Sequence, residues 1–276
     1  MLSRRLLIAT AAAGLALPAR ASRGESDAAG ATLDRVRRAK VLRIAAMPGA
    51  APYFGKDAAG AWSGMGVAMA EDIAASFDAK VEYLEADTDN AVGDLQAGRI
   101  DLALALSPTP KRSLAVDFTR PFYRHSVGVV AKKGFAAAHW TELDKPEIRM
   151  AVEIGSADEA IARRCAGHAT FIGLKKREAA VQAVQSGRAE AMILPANSGL
   201  VLAKKTAELA FAMVRRPLVQ LPICLAVRSE PDKGWRDFLD TWIEARRGTH
   251  QIREWLAIGL ALDGVMLDDL PADLEV

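Results

Sequence analysis

One stretch of the sequence combines hydroxyl, proline and cationic side chains at a spacing that suits the binding of an anion. In LALALSPTPKR, residues 102–112, an apolar run ends at Ser107 and is followed by Thr109 and Arg112. Hydroxyl groups can donate hydrogen bonds to an anion, and a planar guanidinium matches a carboxylate through two parallel bonds. The two prolines restrict the backbone and would hold these donors in place. The stretch therefore indicates a preorganised anion site. The alternative is a surface turn in which Arg112 pairs with Asp117.

A second candidate for anion binding begins at Gly155. Ser156 is followed three residues later by Glu159, a capping-box pattern that predicts the start of a helix. The first turn of a helix has free amide groups and partial positive charge, which suit a carboxylate. Ser156 is therefore expected to cap a helix, to contact a ligand, or both.

Other side chains give weaker indications of chemistry. Tyr53 follows the first apolar strand and could line a cleft or belong to the core. The four histidines are scattered, and the sequence contains no P-loop, H-E-x-x-H zinc motif or G-x-S-x-G nucleophile elbow. No metal or cofactor is therefore expected.

The elements that would position these residues alternate between short strands and helices, which predicts an α/β fold. In open α/β sheets, ligands bind beyond the carboxyl ends of the strands, and Ser107 follows such an end. Strands are predicted at 41–46, 80–84 and 101–106, and helices at 64–77 and 91–97; the alternation continues to about residue 228, and two amphipathic helices follow.

One short pattern occurs twice. The string Q-x-G-R-x followed by an acid spans residues 96–101 and again 185–190. Each copy ends a helix, turns at glycine and enters an apolar strand. The repetition favours two lobes built alike, although a single doubly wound sheet would also satisfy it.

The amino-terminal residues 1–21 resemble an export signal. Two arginines, Arg4 and Arg5, precede an apolar run that is too short to span a bilayer comfortably, and a small-x-small pattern ends at Ala21. We expect export to the periplasm with cleavage after about Ala21, by the general or the twin-arginine route. Residues 22–40 are predicted to form a linker, either as a tether or as a fraying helix.

The charge balance argues against nucleic acid as a partner, and the cysteine content leaves disulfide bonding undecided. The 36 basic residues are nearly balanced by 34 acidic ones, so nucleic acid is not an expected partner. Cys165 and Cys224 are the two cysteines, and the sequence does not decide whether they are bonded.

Residues 107–123, SPTPKRSLAVDFTRPFY, resemble the central motif of the polar amino-acid solute-binding proteins, the family 3 periplasmic receptors of ABC importers. The resemblance extends over about residues 41–258. It implies a two-lobed periplasmic-binding-protein fold of the type II, Venus-flytrap class, with two hinge crossings near 126–130 and 217–222. Lobe 1 would comprise residues 41–127 plus 221–276, and lobe 2 residues 128–220.

The resemblance also assigns roles to individual residues. It implies that Ser107 and Arg112 hold the carboxylate of the ligand from lobe 1, where the hydroxyl of Thr109 is a further candidate donor from the local sequence. Gly155 and Ser156 would contact the same group from lobe 2.

The sequence departs from the family pattern where the ligand's α-ammonium would bind. Pro195 occupies the place of the family's aspartate, and the acids of a second family segment are absent from residues 64–68. Glu153 is the first candidate to replace the lost acid, ahead of Asp158 and Glu159. Asn197 could accept a hydrogen bond from a neutral or weakly charged donor. The expected ligand is a small carboxylate or an amino-acid-like molecule, with an ordinary L-amino acid less favoured.

The resemblance thus implies a monomeric, non-enzymatic binding protein that delivers its ligand to the membrane permease of an ABC importer. Two alternatives stay open. One is an accessory or sensor protein of the same fold without a transport role, for example one associated with a quinoprotein dehydrogenase. The other is a periplasmic enzyme similar to cyclohexadienyl dehydratase, which Pro195 disfavours because an acid is expected near that place.

Overall fold

The computed structural model describes residues 31–47, 52–56, 59–86, 88–135 and 137–269. The predicted signal, residues 1–21, lies outside the described residues, as does the predicted linker up to residue 30. Within the described part of the predicted linker or fraying helix, Thr32–Ala39 forms a helix. Val36 of this helix is fully buried, because even a short, highly charged helix packs when it presents one apolar position to the core.

Short strands and helices alternate along the described chain, which confirms the α/β prediction. The strands are β1 (Val41–Ala46), β2 (Gly55–Lys56), β3 (Trp62–Ser63), β4 (Lys80–Glu85), β5 (Leu102–Leu106), β6 (Val116–Phe118), β7 (Tyr123–Lys132), β8 (Arg149–Glu153), β9 (Thr170–Leu174), β10 (Ala191–Pro195), β11 (Leu209–Met213) and β12 (Gln220–Arg228). The helices are α1 (Thr32–Ala39), α2 (Met65–Ala75), α3 (Thr88–Gln96), α4 (Pro110–Ser113), α5 (Trp140–Leu143), α6 (Ala157–Cys165), α7 (Arg177–Gln185), α8 (Ala196–Lys205), α9 (Gly234–Gly248) and α10 (Gln251–Ala261), followed by a 3-10 helix at Leu267–Asp269.

The main sheet has the strand order β4-β1-β5-β12-β7-β10-β8-β9, with β6 added to β12 and β11 added to β7. In one half, β1 pairs in parallel with β4 and β5. In the other half, β8 pairs in parallel with β9 and β10. The halves are joined by the two longest strands, because β7 and β12 pair with each other over Tyr123–Ser126 and Gln220–Ile223. The topology is therefore two-lobed with two crossing strands.

The repeated Q-x-G-R-x-acid pattern makes the same contact in each half. In the first, Asp101 Oδ2 accepts a bond of 2.8 Å from the amide of Arg43, at the start of β1. In the second, Glu190 Oε2 accepts one of 2.7 Å from the amide of Arg149, at the start of β8. Each acid also binds the guanidinium of the same arginine. The two lobes are built alike at this corner, as the repetition favoured.

Separate clusters of apolar side chains fill the two halves. Ile44, Leu104 and Leu225 are buried in the first, and Val129 and Met150 in the second. The tryptophans of α9 and α10 belong to the first core, where Trp242 and Trp255 stack with ring centroids 5.5 Å apart.

The cysteines and the helices of the described chain answer two further questions raised by the sequence. Cys165 is half-buried, Cys224 is buried, and the two are not bonded to each other. None of the described helices combines the length and the apolar character needed to span a bilayer.

Candidate functional site

A cavity of about 520 Å³ opens beside the crossing strands β7 and β12, and both halves of the sheet contribute to its wall. Met47 follows β1, Ser107 follows β5, Ser156 lies just beyond β8, and Pro195 ends β10. The cavity is therefore at the carboxyl ends of the parallel strands of both halves, which is where open α/β sheets bind ligands.

Two helices begin at the cavity wall from the second half. Ser156 caps α6, and Pro195 precedes the first residue of α8. Asp158 in the first turn of α6 and Asn197 in the first turn of α8 also line the cavity. The free amides and partial positive charge of two helix starts make this wall suitable for an anionic group.

The serine half of the predicted capping box forms at α6, while Glu159 binds the amide of Gly155 in place of that of Ser156, and these bonds limit what each group can offer to a ligand. Ser156 Oγ accepts a bond of 3.0 Å from the amide of Glu159. The amide of Gly155 donates at 2.7 Å to Glu159 Oε2. Gly155 is exposed and its amide is already bonded, whereas the hydroxyl proton of Ser156 can still be donated to a ligand.

The proline-bounded stretch of the first half is organised around the carbonyl of Ser107. Arg112 Nη1 donates to that carbonyl at 2.9 Å, and the amide of Arg112 donates to Thr109 Oγ1 at 3.2 Å. Thr109 thus caps the short helix α4. Of these three residues Ser107 reaches the cavity, and Thr109 and Arg112 are not part of the wall that the described residues form. The alternative pairing of Arg112 with Asp117 is not present, since Asp117 pairs with Lys233 at 2.5 Å.

An arginine and two acids meet at the second-lobe wall. Arg177 Nε lies 3.7 Å from Glu153 Oε2, and Arg177 Nη2 lies 3.6 Å from Asp158 Oδ2. Arg177 and Asp158 line the cavity. Burial raises the pKa of Asp158 to about 6, partly opposed by Arg177 and reinforced by Glu153. Glu153 is the acid that the sequence favours, whereas of Glu153 and Asp158 it is Asp158 that lines this cavity.

Asn197 has an unsatisfied polar atom beside the cavity. Its side chain is 4% exposed, and its Oδ1 has no hydrogen-bond partner among the described residues. A buried carbonyl oxygen without a donor is costly, so a donor supplied by a ligand would be favourable here.

A pair of residues from the first lobe completes the wall. Tyr53 Oη lies 2.7 Å from His125 Nε2, and both residues line the cavity. Burial, and to a lesser degree Tyr123, raises the pKa of Tyr53, while burial lowers the pKa of His125 to about 4. Sequence reasoning missed His125. The available signal was its place on a crossing strand, two residues after Tyr123 and therefore on the same face.

Ion pairs connect α8 to the segment after α10 at the edge of the cavity. Lys205 Nζ lies 2.5 Å from Asp263 Oδ1, and Lys204 Nζ donates to Asp269 Oδ2 at 2.5 Å and to the carbonyl of Gly264 at 2.8 Å. Lys205 and Asp263 both line the cavity. We call these three contacts the α8 latch.

Known proteins resemble this chain in sequence and in fold. A cyclohexadienyl dehydratase from Pseudomonas aeruginosa is 24% identical over 225 residues, covering 80% of this chain and 83% of the relative. The structure of an amino acid ABC transporter substrate-binding protein from Streptococcus pneumoniae, bound to L-arginine, matches with a TM-score of 0.69 and 23% identity, covering 84% of this chain and 98% of that one.

A solute receptor for L-cysteine from Neisseria gonorrhoeae matches with a TM-score of 0.66 and 21% identity, covering 88% of this chain and all of that one (100%). These two structures have the two-lobed fold predicted from the sequence. The family model for bacterial extracellular solute-binding proteins, family 3, matches residues 42–260. Because that match covers most of the sequence, the chain belongs to the bacterial extracellular solute-binding proteins of family 3.

Proposed function

We propose that this protein is a periplasmic solute-binding protein of an ABC importer that captures a small carboxylate or an amino-acid-like molecule between its lobes. The observation that carries the proposal is the cavity of about 520 Å³, where the strand ends of both halves and the starts of α6 and α8 converge. A cavity of that size suits a ligand of amino-acid dimensions. Residues 1–21, predicted to be an export signal, support a location in the periplasm.

The carboxylate of the ligand would bind between Ser107 and Ser156. Ser107 belongs to the first lobe, and Ser156 offers its hydroxyl proton at the start of a helix. Arg112 would act from behind Ser107, either by orienting its carbonyl or by turning its guanidinium onto the ligand. Thr109 and Gly155 would support the site through their capping bonds.

A nitrogen group of the ligand would face the second lobe. Pro195 has no charge and no amide proton, but Asp158 and the unpartnered Oδ1 of Asn197 lie in the same wall. Either oxygen can accept a hydrogen bond from an amine or amide. Glu153 would contribute indirectly, because it shares Arg177 with Asp158 and thereby adds negative charge to this wall.

Capture would proceed by closure of the lobes around the ligand. A ligand that contacts both lobes favours the closed state by the difference between its affinities for the two states. The closed form would then dock on a membrane permease. The protein is expected to act as a monomer.

The test is to identify a ligand and show that the cavity binds it. Native mass spectrometry of the purified protein would detect a co-purified small molecule. A thermal-shift panel of common L-amino acids and matched 2-hydroxy acids would follow, because a ligand at about 100 times its Kd adds about 2.7 kcal/mol to stability. Asn197→Leu should lose the shift, whereas Ser186→Ala, an exposed position after α7, should keep it. A panel without any shift, together with an empty native spectrum, would refute the proposal.

A dehydratase activity is the second candidate, because one observation favours it. Asp158 lines the cavity, and a carboxyl group whose pKa lies near 6 can serve as a general acid. The relative from Pseudomonas aeruginosa is a cyclohexadienyl dehydratase. Turnover of prephenate or arogenate by the purified protein, lost in Asp158→Asn, would establish the activity. The absence of turnover at high protein concentration would exclude it.

A further inference from the structure

The hydrogen bond between Tyr53 and His125 fixes the position of one proton in the cavity wall. Tyr53 is 5% exposed, and its hydroxyl makes no other hydrogen bond within the described part of the chain. The raised pKa of Tyr53 keeps the phenol protonated, and the lowered pKa of His125 keeps the imidazole neutral at pH 7. The pair therefore holds one hydroxyl proton and one ring proton.

The two possible arrangements of these protons differ in energy. If Nε2 carried the ring proton, it would donate to Tyr53 Oη, and the buried hydroxyl proton would have no acceptor. A buried donor without an acceptor is costly. If the hydroxyl donates to Nε2 instead, the ring proton is on Nδ1, and because His125 lines the cavity, water or a ligand there can accept it. The second arrangement is therefore favoured.

The Nδ1 atom is available to a ligand. The buried, unpartnered side-chain atoms among the described residues include Nδ1 of His139 but not that of His125. His125 is half-buried, and no hydrogen bond to its Nδ1 is made by the described residues, so this atom has no protein partner there. His125 lines the cavity. With the ring proton on Nδ1, this nitrogen presents an N–H donor to the cavity.

We propose that His125 is a ligand-binding residue whose Nδ1–H donates a hydrogen bond to an oxygen of the bound molecule, and that Tyr53 is the positioning residue that fixes its tautomer. This inference rests on the proposed function. It narrows the ligand to molecules that present a carbonyl, hydroxyl or carboxylate oxygen to the first lobe.

The same geometry disfavours ligands that present an ammonium or guanidinium group to this wall. Such groups carry donors and no acceptor, so they would face the N–H of His125 with another donor. Among amino acids of suitable size, those with an amide or hydroxyl side chain should therefore bind better than lysine or arginine.

The tautomer can be measured directly on the free protein. Nitrogen-15 NMR of histidine-labelled protein at pH 7 should show the Nδ1–H form for the ring whose signals disappear in His125→Phe. Tyr53→Phe should convert that ring towards a mixture of tautomers, because the acceptor role of Nε2 is lost. An Nε2–H ring in the unaltered protein would overturn the proposal.

Binding is tested with the compound of the amino-acid panel that gives the largest thermal shift. His125→Phe removes both ring nitrogens and should weaken its binding about tenfold, the upper range for one hydrogen bond. His125→Asn places an amide nitrogen near the position of Nδ1 and should restore part of the affinity. Binding by a folded His125→Phe within twofold of the unaltered protein would overturn the proposal. If no panel compound binds and the native spectrum is empty, the proposed function fails, and the tautomer measurement still decides the state of His125.

Discussion

Replacing Asp101 by asparagine is expected to destabilise the protein by about 3–5 kcal/mol, the range found when one partner of a buried ion pair is removed. The Asp101 side chain is 2% exposed and binds two guanidinium groups. Arg43 donates at 2.8 Å, and Arg35, itself only 8% exposed, donates to Oδ2. Asparagine keeps the shape of the side chain but removes the buried negative charge that both guanidinium groups contact.

The internal repetition supplies a matched control. Glu190 makes the corresponding contacts with Arg149 in the second lobe, but these side chains are 28% and 45% exposed. Water screens this pair, so Glu190→Gln should cost no more than about 1 kcal/mol. Urea or guanidinium unfolding would measure both variants, and ligand affinity should not change in either. Equal losses of unfolding free energy in the two variants would refute the argument that burial decides how much each acid contributes to stability.

Three further predictions concern the site. Arg112→Ala should abolish the ligand-induced melting shift while the melting temperature of the free protein barely changes; a large loss in the free protein would assign Arg112 a structural role instead. The Lys205–Asp263 contact should make ligand dissociation faster at high salt, and Asp263→Ala should reduce that salt dependence in stopped-flow measurements. The pKa of His125 falls from about 6.5 in the unfolded chain to about 4 in the folded one. The free energy of unfolding should therefore decrease as the pH falls from about 6.5 towards 4, because the unfolded chain binds the proton more readily. The total loss of unfolding free energy is about 3 kcal/mol, since each pH unit contributes about 1.4 kcal/mol. His125→Asn should remove most of this pH dependence when the free energy of unfolding is measured against pH.

The regular elements could be predicted because their signals are local. The apolar run 41–46 forms β1 as expected, and the predicted strands at 80–84 and 101–106 match β4 and β5 within one residue at each end. The predicted helix at 91–97 begins three residues earlier, at Thr88, because that turn carries no apolar periodicity. Gly98 ends the corner with φ 66°, a conformation that glycine adopts without strain.

The candidate site was predicted less completely because its wall is assembled from distant segments. Ser107 and Ser156 were identifiable since each combines a hydroxyl with a strand end or a helix start. His125 and Arg177 carry no local motif, and their roles depend on which residues the fold places opposite them. Glu153 is preferred over Asp158 in the sequence because Glu153 precedes a turn. Sequence alone does not show which of these two acids lines the cavity.

The division of polar groups between the lobes gives closure a physical cause. The first lobe supplies the donor of His125 and the wall around Ser107, and the second supplies the helix starts and the acceptor oxygens of Asp158 and Asn197. Neither set can enclose a ligand alone, so the full binding energy is realised when both are in contact with it. In this structure Ala196 and Val201 of α8 already pack against the core of the first lobe, and the α8 latch joins the lobes at the cavity edge. Because the latch pairs are partly exposed, they add little energy of their own. A ligand that bonds both walls is therefore what must select the closed state.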